Sequence, residues 1–253
     1  MTTTTQPVKE TRYAFGDTPA LQFRAAGDDS SPGTIRWLAP VFEVLSEDFG
    51  GYRELVLPSA CTRTMGRPLQ IAQYNHTTLL ASRRGGTLRA QVTAAGCEFE
   101  ADLAATSTGQ HVAVMADRGD LTGASFSFMV KSPSYWASYA NLRDEGIAGT
   151  PISMRVGDQD MDGTVDDDCL VRVFTEIAIY ESGPVDMPAF PESVVSRARA
   201  GAAAELAGQR GIPQDELVAA MQARSLGEVL RPRAGRSMTV ARALARPRYA
   251  AAR

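Results

Sequence analysis

The chain has 253 residues, of which 44% are hydrophobic, and a formal net charge of −3 at pH 7. It can bury one substantial core plus an extension, but no apolar run approaches the roughly 20 residues of a membrane-spanning helix, and its first residues do not resemble a signal peptide. Its three cysteines are isolated, which argues against a disulfide framework and favours an intracellular globular protein with unpaired thiols.

Residues 1–33 mix Thr, Asp, Ser, Gly and Pro around one short apolar stretch, a composition typical of a mobile arm with little fixed structure. After this arm, β-branched and apolar runs bounded by turn residues predict strands. The predicted strands are Ile35–Phe42, Tyr52–Leu57, Leu69–Asn75, Thr87–Thr93, Glu98–Leu103, Ala124–Lys131 and Leu170–Tyr180. Strands at this density, without long helices between them, favour an antiparallel barrel or sandwich.

Helical sequence is predicted in two places. Residues His111–Asp120 are expected to form a short helix that ends at Gly119. From Pro191 onward the chain becomes Ala-rich and helix-forming, with breaks at 211–213 and 231–233. This pattern predicts one or two helices followed by a loose end.

The tail is also basic. After Val194 there are eleven Arg and no Lys against four acidic residues, so this segment carries about +7 and the rest of the chain about −10. Such a segment can bind nucleic acid, an acidic partner or the acidic body of its own protein.

The acidic run Asp158–Asp168 has the start of a calcium loop. Its twelfth position is Cys169, where such a loop needs a bidentate Glu, and predicted strands rather than helices flank it. A solvated hairpin tip is therefore the favoured interpretation.

One predicted strand presents two serines on the same face. Over Ala124–Val130, two phenylalanines point one way, so Ser125 and Ser127 point the other way. From this pattern alone, each serine is most simply an ordinary polar residue. Either could act as a nucleophile if a base were placed beside it, because a hydroxyl alone is too weak.

The base can be one of only two histidines, His76 and His111. An imidazole can accept a proton from a serine and return it near neutral pH. His76 follows Asn75 at the end of a strand-like stretch, where a surface or capping role is the simplest interpretation. His111 lies in the predicted short helix, and a structural role is favoured there.

Four motifs in fixed order give these residues a context. They are Gly50–Cys61 (GGYRELVLPSAC), Asn75-His76 running into Gly86-Thr87-Leu88, Gly123–Phe128 (GASFSF) and Glu181–Ala189 (ESGPVDMPA). In order and spacing, from about residue 34 to 190, they resemble the prohead (procapsid) maturation serine proteases of tailed bacteriophages. The chain departs from the usual family pattern at Ser59, Cys61, Ser127 and Gly183, and none of these departures removes a charged or proton-carrying group.

The resemblance implies a fold and a set of site residues. The fold would be herpesvirus-protease-like, an α+β but β-rich structure with a closed antiparallel β-barrel edged by helices. Ser125 would be the nucleophile, with Ser127 as the alternative, and His76 would be the general base and then acid. No metal or organic cofactor would be needed.

A third residue should hold the imidazole in its productive tautomer and stabilise its cation, and the candidates are Glu176 and Glu181. Alternate residues from Val171 to Ile179 predict one apolar strand face, which Glu181 would continue as its only charge. A carboxylate in that position needs a partner to offset its desolvation. This argument favours Glu181, as does its place in the closing motif.

The resemblance also implies partners, location and organisation. The chain would cleave scaffold and capsid-protein extensions, and itself, inside the assembling procapsid in the host cytoplasm. Its partners would be the major capsid protein, the scaffold and further copies of itself, with no membrane and with nucleic acid left open. We expect a flexible arm (1–33), a protease domain (34–192) and a helical, basic C-terminal extension (193–253). The alternative is a catalytically silent, protease-derived scaffold or assembly protein.

Overall fold

The computed structural model describes residues 9–14, 21–26, 31–46, 48–67, 70–121, 123–147, 150–151, 155–156, 159–160, 165–186, 192–223 and 226–230. They form a mixed α+β structure rich in strands. The strands are β1 Lys9–Ala14, β2 Leu21–Ala25, β3 Gly33–Val41, β4 Val44–Leu45, β5 Tyr52–Val56, β6 Ile71–Tyr74, β7 Thr78–Ser82, β8 Leu88–Val92, β9 Gly96–Leu103, β10 Gly123–Val130, β11 Tyr135–Ser138, β12 Thr150–Pro151, β13 Arg155–Val156, β14 Gln159–Asp160, β15 Leu170–Phe174 and β16 Ile177–Val185. The helices are α1 Ser107–Asp117, α2 Tyr139–Asp144, α3 Glu192–Arg210, α4 Gln214–Gln222 and α5 Leu226–Leu230.

Two larger sheets make up most of the body. One has five strands in the order β1-β10-β16-β6-β7, and all its pairs are antiparallel except β16–β6. The other has four antiparallel strands in the order β2-β3-β9-β8. In the pairings described, each sheet has two end strands, so a closed barrel stays a prediction.

A hydrophobic core joins these two sheets. Its buried side chains come from β3 and β9 on one side, and from β10 and β16 on the other. Trp37 stacks on Phe99 with ring centroids 5.7 Å apart, and Phe126 stacks on Phe128 at 5.4 Å. The phenylalanine face of β10 is therefore the core face, as the alternation of its residues predicts.

A smaller sheet carries the C-terminal helices. It has the strand order β11-β15-β5, and a second buried cluster joins it to α3, α4 and α5. In this cluster Phe49 and Tyr52 pack with Leu206, Leu217 and Met221, all of which are at most 1% exposed. The helical character of this region is confirmed, although it contains three helices rather than the one or two that the sequence predicts.

A buried ion-pair network reinforces the same junction. The Arg172 side chain on β15 is 2% exposed and pairs with Glu54 at 3.1 Å and with Glu205 on α3 at 2.6 Å. Arg172 Nε–H also donates to Ser134 Oγ at 3.1 Å, and Ser134 donates to Glu205. Removing one partner of such a buried network is costly, because the remaining charges stay desolvated. The described helices are therefore an integral part of the folded body.

The N-terminal region differs from its prediction. β1 pairs with β10, and β2 pairs with β3, so the expectation of little fixed structure before residue 33 is wrong for these two segments. Leu21, the first residue of β2, is 7% exposed and belongs to the core. Each of these strands is short and lies in polar sequence, and the hydrogen-bond partner of β1 is distant in the chain. Local sequence patterns therefore do not predict these strands. The division of the chain at residues 33 and 192 stays a prediction.

Other differences are smaller. The predicted strand Leu170–Tyr180 is two strands, β15 and β16, and the second continues to Val185. Helix α1 begins four residues before its predicted start, because the Thr106 hydroxyl caps its first turn by accepting from Gly109 N–H at 3.2 Å. Much of the acidic run 158–168 lies outside the described residues. No described helix is long and apolar enough to cross a membrane.

Candidate active site

Ser125 lies on β10, inside the five-stranded sheet. β10 pairs with β1 on one side and β16 on the other, and Ser125 stands opposite Tyr13 and Gly183 in these ladders. Its side chain is fully buried. Two neighbouring strands therefore fix the backbone that carries this hydroxyl.

The structure brings His76, Ser125 and Glu181 together. His76 Nε2 is 2.7 Å from Ser125 Oγ, and His76 Nδ1 is 2.7 Å from Glu181 Oε2. A carboxylate can only accept, so Nδ1 carries the proton and donates to Glu181, while Nε2 accepts from the serine hydroxyl. The Glu181 side chain is 2% exposed, and that of His76 is 24% exposed, so solvent reaches the imidazole but not the carboxylate.

Glu181 reaches this position through a β-bulge. The ladder pairs Phe128 with Ile179 but Ser127 with Glu181, so Tyr180 is the extra residue on β16. Directly opposed residues share a face of a sheet, and one inserted residue switches the face of everything beyond it. Glu181 therefore lies on the serine face. The expectation that it continues the apolar face of Ile179 is wrong, although it led to the same residue.

His76 sits in a tight turn between β6 and β7. The backbone has φ 51° at Asn75 and φ 58° at His76, and Thr77 N–H donates to Tyr74 O at 3.1 Å. Two successive left-handed residues make this a type I′ turn, in which Asn is favoured at the first position but the second is usually Gly. A histidine there costs about 1–2 kcal/mol of backbone strain. The turn places the imidazole within hydrogen-bonding distance of Ser125 on β10 and Glu181 on β16.

Gly183 allows β6, which leads into this turn, to lie close to β16. A Cβ added at Gly183 would lie 1.9 Å from the carbonyl oxygen of Gln73 on β6. Any side chain would push β6 away from β16, and Gln73 is three residues before His76. The glycine that departs from the usual family motif is thus required by the packing of this chain.

A buried hydrogen-bond chain holds the backbone of Ser125. Trp37 Nε1–H donates to Ser182 Oγ at 2.8 Å, and Ser182 Oγ–H donates to the carbonyl oxygen of Ser125 at 2.9 Å. Both side chains are at most 2% exposed. Sequence reasoning missed these two residues, since no pattern links Trp37 to a serine 145 residues later.

The remaining candidates lie elsewhere. Glu176 accepts from Ser132 Oγ–H at 2.9 Å and from the Arg63 guanidinium, and these two bonds lower the pKa of its carboxyl group. Ser127 is buried on the serine face, opposite Glu181. His111 contacts Tyr74, whose hydroxyl oxygen is 3.3 Å from His111 Nε2. Among the described residues, no group of acidic, His and Cys side chains could hold a metal ion.

Comparison with known families adds an independent finding. Residues 20–138, a little under half of the chain, match the family model for caudovirus prohead serine proteases. Over these residues the chain is similar to the caudovirus prohead serine proteases. No curated protein and no solved structure matches the chain significantly.

The matched family implies a protease role in capsid maturation. The matched region contains His76 and Ser125 but ends before Glu181. The position of Glu181 therefore depends on the fold alone, through β16 and its bulge.

Proposed function

We propose that this chain is a serine endopeptidase in which Ser125 is the nucleophile, His76 the general base and acid, and Glu181 the orienting carboxylate. The observation that carries the proposal is the pair of 2.7 Å contacts through His76, one to Ser125 and one to Glu181. A buried carboxylate, an imidazole and a serine in this arrangement make up the standard unit for acyl transfer.

The geometry supports a two-step reaction. Ser125 Oγ attacks the carbonyl carbon of a peptide bond while its proton passes to His76 Nε2, and Glu181 stabilises the resulting imidazolium through Nδ1. His76 then gives that proton to the leaving amine, which departs as the C–N bond breaks and an acyl-enzyme remains. Water next attacks the ester, its proton passes to His76, and Ser125 recovers its hydroxyl proton as the acid product leaves.

The environment of Glu181 suits this role. Its other oxygen, Oε1, has no hydrogen-bond partner among the described residues, and the side chain is buried. A buried carboxylate with one strong contact interacts most favourably with a positive charge at that contact, because little else compensates its desolvation. The imidazolium formed during catalysis supplies that charge.

For the cellular role we propose the cleavage of scaffold and capsid-protein extensions, and of the chain itself, inside the assembling procapsid. The family match over residues 20–138 supports this assignment. The partners would be the major capsid protein, the scaffold and further copies of the chain. We also propose that the two larger sheets, which include β1 and β2, belong to one barrel-like protease domain, because one core joins them.

The net positive charge of the tail lies in its last segment. Seven of its eleven arginines lie in residues 231–253, which contain no acidic residue, whereas the four arginines and four acidic residues between 195 and 230 cancel. The whole charge of about +7 therefore follows Leu230. We propose that this last segment, rather than helices α3–α5, carries the affinity for acidic surfaces and is the part removed by self-cleavage.

A fluorophosphonate probe tests the catalytic assignment directly. Such a probe reacts when the serine oxygen bonds to phosphorus, fluoride leaves, and the serine proton passes to the base. Wild-type protein should be labelled at Ser125, as located by peptide mass spectrometry, while Ser125→Ala and His76→Ala should not. Ser127→Ala is the matched control and should label normally. Equal labelling of all four proteins would overturn the assignment, and absence of labelling in wild type would favour the catalytically silent assembly protein.

A further inference from the structure

The turn that presents His76 is held by a second set of contacts outside the triad. Asn75 and His76 both adopt left-handed backbone conformations, which a histidine does not favour. A strained conformation persists only where its surroundings fix it. Asn75 begins this strained pair and directly precedes the base. Contacts that fix Asn75 therefore also fix the backbone of His76.

Asp186 makes reciprocal hydrogen bonds to Asn75. Asn75 Nδ2–H donates to Asp186 Oδ2 at 2.7 Å, and Asp186 N–H donates to Asn75 Oδ1 at 3.0 Å. In addition, Asn75 N–H donates to the carbonyl oxygen of Pro184 at 3.0 Å. The end of β16 thus binds the turn through three hydrogen bonds, over a sequence distance of about 110 residues.

Tyr74 completes the contact. Its hydroxyl donates to the other carboxylate oxygen, Asp186 Oδ1. Both oxygens of Asp186 are therefore engaged by consecutive residues of the β6–β7 hairpin. Asp186 lies five residues after Glu181, directly beyond the end of β16, so the end of one strand fixes both the backbone and the ring of His76.

We propose that Asp186 and Asn75 are positioning residues that hold the His76 turn in its left-handed conformation and so keep Nε2 within proton-transfer distance of Ser125. This inference rests on the proposed serine protease function. Neither residue touches the reacting atoms, and their effect passes through the turn to His76. A misplacement of about 1 Å can lower the rate of such a step by about 100-fold.

The two side chains offer an exchange that separates positioning from general stability. In Asp186→Asn, one of the two acceptor oxygens becomes an NH2 donor, which must face either Asn75 Nδ2–H or the Tyr74 hydroxyl, and in Asn75→Asp two carboxylates face each other. In the double variant Asn75→Asp/Asp186→Asn the donor and the acceptor are simply exchanged. The residue 186 N–H can still donate to residue 75, and Asp, like Asn, tolerates the left-handed conformation.

The experiment measures the inactivation rate constant and the binding constant of the fluorophosphonate probe in the full chain, together with the thermal midpoint. Asn75→Asp and Asp186→Asn should each lower the inactivation rate constant by about tenfold or more, with probe binding changed by less than about twofold. The double variant should recover most of the loss. Matched controls on the exposed face of α2, Asn141→Asp and Asp144→Asn, should react like wild type.

The outcomes are distinct. If wild-type protein reacts at Ser125 but both single variants react at the same rate, the positioning role is overturned while the protease assignment stands. If the single variants are slow and the double variant is no faster, the proposal that a direct hydrogen bond between residues 75 and 186 positions His76 is overturned. If a single variant does not fold, the double variant decides: wild-type reactivity supports the pairing, and failure to fold or react contradicts it. Absence of reaction in wild type would overturn the protease function itself.

Discussion

At the residue scale, two features that the proposed chemistry requires lower the stability of the fold. Glu181 is a buried carboxylate with one unpartnered oxygen among the described residues, and His76 is a histidine in a left-handed turn. Each feature lowers stability when taken alone. Such costs are common where a fold places reactive groups, and they predict that some site variants trade activity for stability.

Glu181→Gln should show this trade. The amide removes a buried charge, so the free energy of unfolding should stay equal or rise by about 1 kcal/mol. Peptidase activity should fall by about 10²–10⁴-fold, less than for Ser125→Ala, because the imidazolium loses its compensating charge. Urea unfolding and probe labelling of the same preparations measure both effects. A larger loss of activity in Glu176→Gln would move the orienting role to that residue.

Tyr74 predicts a stability change at high pH. Burial, followed by the hydrogen bond to Asp186, raises the pKa of Tyr74 to about 12, above the unfolded value of about 10. The protonated form is favoured in the folded state, so its contribution is complete below about pH 10 and is lost as the pH rises through about 12. The stability difference between wild type and Tyr74→Phe in urea should therefore be constant to about pH 10 and then shrink. A difference that stays constant to pH 12 would contradict this contact.

At the element scale, the site depends on how three strands meet. β10 carries Ser125, β16 carries Glu181, and the end of β6 leads into His76. The strand pairs bring together residues 49 and 105 positions apart. The bulge at Tyr180 and the absence of a side chain at Gly183 then set which side chains meet.

Gly183→Ala tests this close approach. The new methyl group would overlap the backbone of Gln73, so β6 must shift and carry the His76 turn with it. We expect a loss of about 1–3 kcal/mol in the free energy of unfolding and a clear fall in probe labelling. Gly208→Ala on α3 is the matched control, because nothing lies within 4 Å of its added methyl group and Ala favours a helix. Normal labelling of Gly183→Ala would show that β6 does not constrain the base.

Much of this arrangement was predictable from local sequence. Alternation along β10 identified its core face, and the motifs singled out His76, Ser125 and Glu181. The bulge was not predictable, because Tyr180 looks like any other strand residue and only the partner ladder shows that it is extra. Strands β1, β2 and β7 were missed because they are short and partly polar, and their partners decide their structure. The roles of Asp186 and Ser182 likewise arise only from contacts distant in sequence.

At the scale of the whole molecule, the C-terminal helices complete the body. They cover Phe49 and Tyr52, and Glu205 pairs with the buried Arg172. The charged segment begins only after Leu230, by the distribution of arginines. Stability and electrostatic attraction are therefore assigned to different parts of the C-terminal region.

Two truncated chains separate these assignments. A chain ending at Leu230 should keep the thermal midpoint of the full chain but lose salt-sensitive binding to acidic surfaces. A chain ending at residue 191 should lose about 3–5 kcal/mol or more, because Arg172 loses its contact with Glu205 and the apolar cluster around Phe49 and Tyr52 is exposed. Thermal unfolding measures the difference in stability between the two truncated chains. Binding to an acidic surface at two salt concentrations measures the loss of electrostatic attraction. Equal stability of both truncated chains would contradict the packing of α3–α5 as a structural requirement.

The most direct test of the protease function is co-expression with the cognate capsid protein, followed by mass spectrometry of the assembled particles. Wild-type chain should shorten the capsid protein and lose residues after Leu230 from itself. With Ser125→Ala, both proteins should remain full length although the variant still enters particles. Full processing of the capsid protein by Ser125→Ala would show that Ser125 does not perform the cleavage.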